Sequence, residues 1–175
     1  MAILKIARMG NKLLLQKALP VDDPLGSEVR DLVYSMVETM GDAPGIGLAA
    51  PQVHVPLRII VFYVPEDRSE GTGDVPLTVL INPSIEYLST DMEDGVEGCL
   101  SVPGMQGIVP RYKHITYKGT QLDGSLVQRE ATGYHARVVQ HEYDHLDGIL
   151  YPMRIGDMSK FGFSEEFERN IEAAK

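Results

Sequence analysis

The stretch that most constrains the fold runs from Gln140 to His145 and reads Gln-His-Glu-Tyr-Asp-His. His141 and His145 stand four positions apart, so in an α-helix they share one face, about 6 Å apart along the axis. Two imidazoles placed in this way can hold one metal ion, and Glu142 can reach a water on that ion. The pattern supplies two ligands and a base. It requires a third protein ligand from elsewhere to leave one position open.

The sequence around this motif favours a buried helix. Segment 136–146 contains neither Pro nor Gly, Gly148 follows it as a C-terminal stop, and Thr132 is a candidate N-cap. Tyr134 and Val138 extend the histidine face with apolar character, which indicates that this face is covered. The alternative is a surface helix in which two of the chain's five histidines fall at this spacing by chance.

Length and composition indicate one globular domain that spans residues 1–175. Hydrophobic residues make up 43% and charged residues 23%, which is ordinary for such a protein. A net charge of −9 argues against stable nucleic-acid binding, because the phosphate backbone attracts basic surfaces. No apolar run approaches the roughly 20 residues needed to cross a membrane, so we expect no membrane association and a cytoplasmic location. The single cysteine, Cys99, excludes an internal disulfide.

Periodicity predicts a chain of mixed helices and strands. An N-terminal helix is expected over 28–40, where Ser27 can cap the first turn, and a C-terminal helix over 161–174. The acidic segment 89–95 is predicted as a turn, and Pro83 as a break between strands. Runs of β-branched and aromatic residues predict strands at 57–64, 77–83, 85–88, 108–109, 112–118 and 126–129.

Two segments upstream of the motif carry further candidates. Segment 43–52 holds two Gly, two Pro and mostly small residues, so it is neither an ordinary helix nor an ordinary strand. Gly45 and Gly47 would permit a close backbone approach, and Gln52 could donate a hydrogen bond to an oxygen. A plain tight loop is the alternative. Cys99 lies further along, in a short extended segment.

These segments can be joined into one metal site. A thiolate from Cys99 and the two imidazoles of the motif give a ligand set known from catalytic sites with an open fourth position. A metal ion there lowers the pKa of a bound water from about 15.7 towards neutrality. Glu142 could take the remaining proton and pass it to a leaving amine. Gln52 and the backbone N–H of Leu100 could stabilise an oxyanion.

Three segments together resemble the peptide deformylases. They read GIGLAAPQ from Gly45 to Gln52, EGCLS from Glu97 to Ser101, and QHEYDH from Gln140 to His145. They follow the family's order at suitable spacings, the likeness covers essentially the whole chain, and the length fits a bacterial member. Each motif alone is weak to moderate, whereas the three in combination are specific.

The resemblance implies an α+β fold in which antiparallel β-sheets pack around a central helix that carries the metal motif, with an N-terminal and a C-terminal helix. It implies hydrolysis of the formyl group from the N-terminal formyl-methionine of new proteins, with release of formate. N-formylmethionyl peptides are the expected substrates, and the ribosome is an expected transient partner near the nascent chain exit. One divalent ion per chain is expected, with Fe(II) as the native ion and Zn(II), Ni(II) or Co(II) as alternatives in purified protein.

The resemblance also implies roles residue by residue. The expected metal ligands are Cys99, His141 and His145, and the expected general acid/base is Glu142. The other positions divide into oxyanion donors, backbone partners of the peptide, a bracing charged pair and a methionine pocket. Gln52 and the Leu100 amide are the expected oxyanion donors, and Gly47 and Gly98 are the expected backbone partners. Glu97 and Arg111 form the expected charged pair, and Ile46, Tyr134 and Val138 form the expected methionine pocket.

Some positions remain open at this stage. The alternative for the three methionine-pocket residues is ordinary core packing. Arg137 stands one turn before His141, where many members have an aliphatic residue, so the shape of the pocket is undetermined. Asp144 and Asp147 could orient an imidazole or lie in solvent. No role is assigned to His54, His114 and His135.

Two other functions fit part of the pattern. A metallopeptidase with this motif usually takes His or Glu as its third ligand, whereas this chain offers Cys99. A non-catalytic protein with a structural zinc would need four protein ligands, and the second cysteine usual in such sites is missing. Cleavage of an internal peptide bond would favour the first function over deformylation. Bound metal without turnover would favour the second.

Overall fold

Antiparallel strands form most of the molecule. The computed structural model describes residues 2–69 and 73–173, and in these ranges eight strands form two sheets. The strands are β1 Gly47–Ala49, β2 Ile59–Val64, β3 Val75–Tyr87, β4 Met92–Cys99, β5 Val102–Tyr112, β6 His114–Thr120, β7 Leu126–Thr132 and β8 Phe161–Phe163. The larger sheet has the order β1-β2-β3-β6-β7, the smaller one has the order β4-β5-β8, and the paired strands are antiparallel.

The helices are α1 Ser27–Asp42, α2 Gly133–Leu146 and α3 Ser164–Ala173. Helix α2 carries the metal motif and lies between the two sheets, in contact with strands of both. The predicted α+β fold with antiparallel sheets, a central helix and a helix towards each end is therefore confirmed. No helix in the described ranges is long and apolar enough to cross a membrane.

Strand β2 is buried on both faces, which places the larger sheet between two helices. Ile60 and Phe62 belong to one apolar cluster with residues of α2. Ile59 and Val61 belong to a second cluster with residues of α1, because successive side chains of a strand point to opposite faces. Helix α2 thus rests against one face of the larger sheet, and α1 covers the other.

The strand prediction around Pro83 was wrong, since β3 runs without interruption from Val75 to Tyr87. The pairing of β3 with β6 shifts register between Ile81 and Ser84, and Pro83 falls inside that irregularity. Proline has no N–H to donate to the ladder, so a β-bulge is where a strand can accommodate it.

Two further boundary predictions were wrong. The acidic segment 89–95 is not wholly a turn, because β4 begins at Met92. It is the exposed edge strand of the smaller sheet, and charged residues on an edge strand resemble a turn in composition. Residues 161–163 form β8 against β5, so the C-terminal helix starts at Ser164; residue 174 lies outside the described residues.

Of the two predicted helix caps, Ser27 was wrong and Thr132 was correct in position. Helix α1 begins at Ser27 itself, and Gly26 occupies the N-cap position without a side-chain hydrogen bond. Thr132 does occupy the N-cap position of α2, but its side chain does not cap the helix. Helix α2 follows strand β7 directly, whereas α1 follows an exposed turn.

Candidate metal centre and active site

Three predicted ligands come together at the end of β4. Cys99 is the last residue of that strand, and His141 and His145 project from α2. The Cys99 Sγ atom lies 3.4 Å from His145 Nε2, and one ligand atom from each of the three residues lies within 4.8 Å of the other two. One sulfur and two imidazole nitrogens at this separation can hold a Zn(II), Fe(II), Ni(II) or Co(II) ion, so the donor set fits the expected metal.

The two imidazoles are held differently. His141 Nδ1 lies 2.8 Å from Glu97 Oε2. Burial alone would raise the pKa of Glu97, but hydrogen bonds from Arg111 and His141 hold it well below its usual range. An ionised carboxylate only accepts hydrogen bonds, so Nδ1 must donate and Nε2 is the atom left to face a metal. His145 is buried with Nδ1 unpartnered within the described residues, and burial lowers its pKa well below the usual range.

Glu142 lies beside the ligands, at the wall of the cavity. Its side chain is buried, and Oε2 has no hydrogen-bond partner among the described residues. Burial raises the pKa of Glu142 to about 7. Gly47 makes this position available, because a Cβ at residue 47 would overlap the Glu142 carboxylate. The predicted close backbone approach at Gly47 is therefore a contact with the side chain expected to act as the base.

Gln52 is held beside Cys99 by hydrogen bonds. Its Oε1 accepts a hydrogen bond of 2.8 Å from the N–H of Ala49. Its Nε2 then points towards the metal ligands, donating to Ser101 Oγ at 3.1 Å and lying 3.5 Å from Cys99 Sγ. The N–H of Ser101 also lies 3.4 Å from Cys99 Sγ. Sequence reasoning assigned no role to Ser101, which contacts both Gln52 and Cys99. Its position two residues after Cys99 is the sequence feature that could have indicated this contact.

A network of buried charges surrounds the ligands. Arg111 donates through Nε and Nη2 to Glu97, at 2.8 and 2.9 Å, so the structure brings together the pair expected from the resemblance. Arg111 also pairs with Asp144, which in turn pairs with Arg154. Asp144 is only 6% exposed and contacts arginines rather than an imidazole. The carboxylate that orients a ligand is Glu97, which lies 44 positions from His141 and therefore beyond any spacing rule.

The other flanking acid and the remaining histidines lie apart from the ligand cluster. Asp147 pairs with Arg58 at 2.8 Å. His54 is exposed, and His114 lies 3.0 Å from Glu130. The remaining histidine, His135, contacts the Tyr117 hydroxyl at 3.2 Å, and burial lowers its pKa to about 4.

A cavity of about 480 Å³ opens onto the ligands. Its wall includes the expected pocket and backbone positions, namely Ile46, Gly47, Gly98, Leu100, Tyr134 and Val138. Val138 is 5% exposed and packs in the apolar cluster of α2, so its side chain serves the core as well as the cavity. Arg137 also reaches the wall, but its guanidinium is bonded to the smaller sheet. The arrangement of three candidate ligands, a buried carboxylate and an adjoining cavity is typical of metal-dependent hydrolases.

Comparison with known proteins identifies the family. A family model of polypeptide deformylases matches residues 3–161. Peptide deformylase 1 of Bordetella pertussis is 53% identical over 161 residues, which are 91% of this chain and 92% of that protein. Peptide deformylase 1 of Xanthomonas axonopodis pv. citri is 51% identical over 93% of this chain and 96% of that protein. The chain belongs to the polypeptide deformylase family, and it is a hydrolase that acts on formylated peptides.

Solved structures agree with this assignment. A class I type b peptide deformylase from Acinetobacter baumannii, bound to Met-Ala-Ser, has a TM-score of 0.81 and 37% identity, covering 88% of this chain and 99% of that one. The actinonin-bound form of the Acinetobacter enzyme has a TM-score of 0.78 and 36% identity, covering 89% of this chain and 100% of that one. The peptide deformylase of Thermotoga maritima has a TM-score of 0.79 and 35% identity, covering 90% of this chain and 100% of that one.

Proposed function

We propose that this chain removes the formyl group from N-terminal formyl-methionine, with Cys99, His141 and His145 as the ligands of one divalent ion and Glu142 as general acid/base. The observation that carries the proposal is the convergence of the three ligand atoms within 4.8 Å, beside a buried carboxylate and an open cavity. When bound, the ion would supply a Lewis acid and lower the pKa of a water molecule.

Glu142 is the residue that moves the proton. A carboxylate in this position takes a proton from the attacking water and gives it to the departing amine. The pKa of about 7 that burial confers on Glu142 suits a group that must both accept and release a proton near neutral pH. Glu97 also lines the cavity, but both of its oxygens accept hydrogen bonds from Arg111, Arg137 and His141. Glu142 Oε2 has no partner among the described residues, so Glu142 is the acid proposed to exchange the proton.

Gln52 and the backbone N–H of Leu100 are proposed to stabilise the oxyanion. The hydrogen bond from Ala49 to Gln52 Oε1 holds the amide so that Nε2 faces the ligand cluster, 3.5 Å from Cys99 Sγ. An oxygen beside that ligand would lie within reach of Nε2. A donor fixed before the substrate arrives needs no reorganisation during the reaction, and removing one such donor typically costs on the order of a hundredfold to a thousandfold in rate.

The substrate is proposed to bind as an added strand. Gly47 lies in β1 and Gly98 in β4, and each of these is an edge strand of its sheet. An extended peptide can pair with such an edge through its backbone. Ile46, Tyr134 and Val138 would then receive the methionine side chain, whose full burial is worth about 1.5–3 kcal/mol. The Met-Ala-Ser complex of the Acinetobacter relative supports a peptide ligand of this kind.

The proposal also covers the identity of the ion, the transient partner and the cellular location. Fe(II) is proposed as the native ion, and the ribosome as a transient partner near the nascent chain exit. The enzyme would then act in the cytoplasm, where formylated chains are made, and residues 1–175 would act as one catalytic domain.

The test is formate release from three peptides, measured anaerobically with the metal content checked by elemental analysis. We expect the highest kcat/KM for a formyl-Met peptide, a much lower value for formyl-Ala, and almost none for acetyl-Met. The methyl of an acetyl group must enter the crowded space beside Gly47, and overpacking of this kind costs about 1–3 kcal/mol. Cleavage of an internal peptide bond in the same substrates would instead indicate a metallopeptidase.

Cys99→Ser is the control for the ligand assignment in the same experiment. A hydroxyl is a much poorer ligand than a thiolate for these ions, so this variant should lose most of its metal and its turnover. Stoichiometric metal and full turnover in Cys99→Ser would contradict the proposed site. Equal rates for formyl-Met and acetyl-Met peptides would contradict the proposed reaction.

A further inference from the structure

Arg137 is a buried charged side chain of α2 that has no part in the proposed reaction. It is 8% exposed and stands one helical turn before His141. Its Nη1 donates to Glu97 Oε1 at 3.0 Å. The same Nη1 also donates to backbone carbonyls of the smaller sheet, at Val109 (2.7 Å) and Gly95 (3.4 Å), and Nη2 donates to the carbonyl of Glu93 (2.7 Å).

Glu97 is the point where Arg137 and a metal ligand meet. Its Oε1 accepts from Arg111 Nε and Arg137 Nη1, while its Oε2 accepts from Arg111 Nη2 and His141 Nδ1. The four acceptor positions of the carboxylate are thus filled by two guanidinium groups and one imidazole. Rotation of the carboxylate would break several charged hydrogen bonds at once, so the direction of its bond to His141 is fixed.

Arg137 and His141 are four residues apart and therefore lie on the same face of α2. Both reach one carboxylate, with Arg137 on Oε1 and His141 on Oε2. The helix, the two side chains and Glu97 form a closed ring of contacts. Arg111 also binds both oxygens of Glu97, but it projects from β5 and is shared with Asp144.

The close approach of Gly95 to Arg137 is a second observation that the guanidinium occupies a space shaped for it. A Cβ at residue 95 would lie 2.6 Å from Arg137 Cζ and Nη2 and 2.7 Å from Nε. The φ angle of Gly95 is not positive, so the backbone conformation does not demand glycine. Residue 95 is restricted to glycine by lack of space, because the Arg137 guanidinium occupies the volume that a Cβ would need.

We propose that Arg137 is a positioning residue for the metal ligand His141, acting through Glu97, and that Gly95 is its matched partner. The inference rests on the proposed metal site. It assigns a further function to a residue that a purely structural account would treat as a cross-link between α2 and the smaller sheet. The two accounts differ in what happens to the metal when Arg137 is changed.

The experiment uses the Co(II)-loaded protein and four variants: Arg137→Met, Arg137→Lys, Gly95→Ala and the double variant Gly95→Ala/Arg137→Met. Three quantities are measured: the Tm, the rate of Co(II) loss to a chelator, and the visible Co(II) spectrum, which reports ligand geometry. Arg30→Met is the matched control, because Arg30 is an exposed arginine of α1. A thiolate-to-Co(II) band in the wild-type protein first tests whether Cys99 is a ligand. Absence of this band would contradict the proposed metal site, independently of any result on the role of Arg137.

We expect Arg137→Met to change the Co(II) spectrum and to lose the ion about tenfold faster, at the lower end of the effect of groups that orient a ligand. Arg137→Lys keeps a charge near Glu97 but not the fork of donors, so it should recover most of the metal retention while its Tm stays low. Gly95→Ala should resemble Arg137→Met, and adding it to Arg137→Met should change the rate by less than about twofold, since coupled residues are not additive.

The structural account predicts a different result. It is supported, and the positioning role is overturned, if Arg137→Met lowers the Tm while the spectrum and the Co(II) loss rate stay at wild-type values. If Arg137→Met does not fold, Gly95→Ala carries the test alone, because it keeps the charge and displaces only the guanidinium. An unchanged spectrum and loss rate in Gly95→Ala would then overturn the proposal.

Discussion

The two sheets hold helix α2 by different physical means. The larger sheet contacts it through apolar side chains, with Ile60 and Leu80 of the sheet in one cluster with Val139 and Leu146 of the helix. The smaller sheet contacts it through buried charges. Those charges lie on Glu97 and Arg111 of the strands and on Arg137 and Asp144 of the helix, and the imidazole of His141 is hydrogen-bonded to Glu97.

The two kinds of contact make different contributions: apolar contacts stabilise the fold, and polar contacts fix the positions of the site's side chains. Apolar burial is non-directional, so the larger sheet stabilises the helix without fixing any one side chain to a fraction of an ångström. Buried ion pairs add little net stability, because desolvation offsets the attraction, but they are directional. The directional side is the side on which Cys99 lies beside the two histidines. The comparison predicts that substitutions on the apolar side change stability alone. Substitutions on the polar side should change the rate or the metal site, and they also lower stability where one partner of a buried ion pair is removed.

The largest expected effect is on the rate, from Glu142→Gln. The amide cannot take up the proton, so kcat should fall by about a hundredfold to ten-thousandfold. The metal content should stay at one ion per chain, because Glu142 is not a proposed ligand. The Tm should not fall, because a neutral amide is less costly to bury than a carboxylate.

The matched control for this variant is Glu38→Gln, since Glu38 is an exposed residue of α1. Its kcat should equal that of the wild-type protein. Near-normal turnover of a metal-loaded Glu142→Gln variant would remove Glu142 from the mechanism and would show that the polar side does not carry the proton transfer.

The second prediction concerns Arg111→Met, which removes the arginine that joins Glu97 to Asp144. Breaking a buried ion pair on one side typically lowers the free energy of unfolding by about 3–5 kcal/mol. We expect the lower end, because Arg137 still pairs with Glu97 and Arg154 still pairs with Asp144.

Urea unfolding of the metal-free and metal-loaded protein measures this change. Arg30→Met should shift the free energy of unfolding by no more than about 0.5 kcal/mol, as expected of a surface substitution. A loss below about 1 kcal/mol in Arg111→Met would mean that the charges do not hold the smaller sheet to α2, and the contrast between the two sheets would fail.

The same contrast explains what could be predicted from the sequence. The apolar period located α1 and α2, and β-branched runs located β2, β3, β6 and β7 of the larger sheet, because burial of one face imposes a period on the chain. Strand β1, in the Gly- and Pro-rich segment 43–52, was not predicted. The proposed ligand positions were inferred from one local motif, from the single cysteine and from the resemblance. The edge strand β4 was misread because its exposed residues, such as Glu93 and Asp94, carry no apolar period.

The polar partners could not be predicted in full, for a geometric reason. Glu97 meets His141 across 44 positions, and Arg137 meets the carbonyl of Glu93 across 44 positions as well. Such contacts depend on the packing of two elements and leave no periodic signal in either. The resemblance supplied the pair of Glu97 and Arg111, but not the reach of Arg137 to the same carboxylate.

The smallest expected effect comes from Ile60→Val, on the apolar side. Ile60 is fully buried between the larger sheet and α2, and removing one methylene from such a site lowers the free energy of unfolding by about 0.5–1.5 kcal/mol. The neighbouring side chains can relax around a gap of this size, and none of the directional contacts to Glu97 is touched. The Tm should therefore fall by a few degrees, while kcat/KM for formyl-Met peptides and the rate of Co(II) loss stay within about twofold of wild type. Calorimetry and the two kinetic assays measure these quantities on the same preparation. If Ile60→Val altered metal retention as strongly as Arg137→Met, the apolar side would also set the geometry of the site, and the division between the two sheets would be wrong.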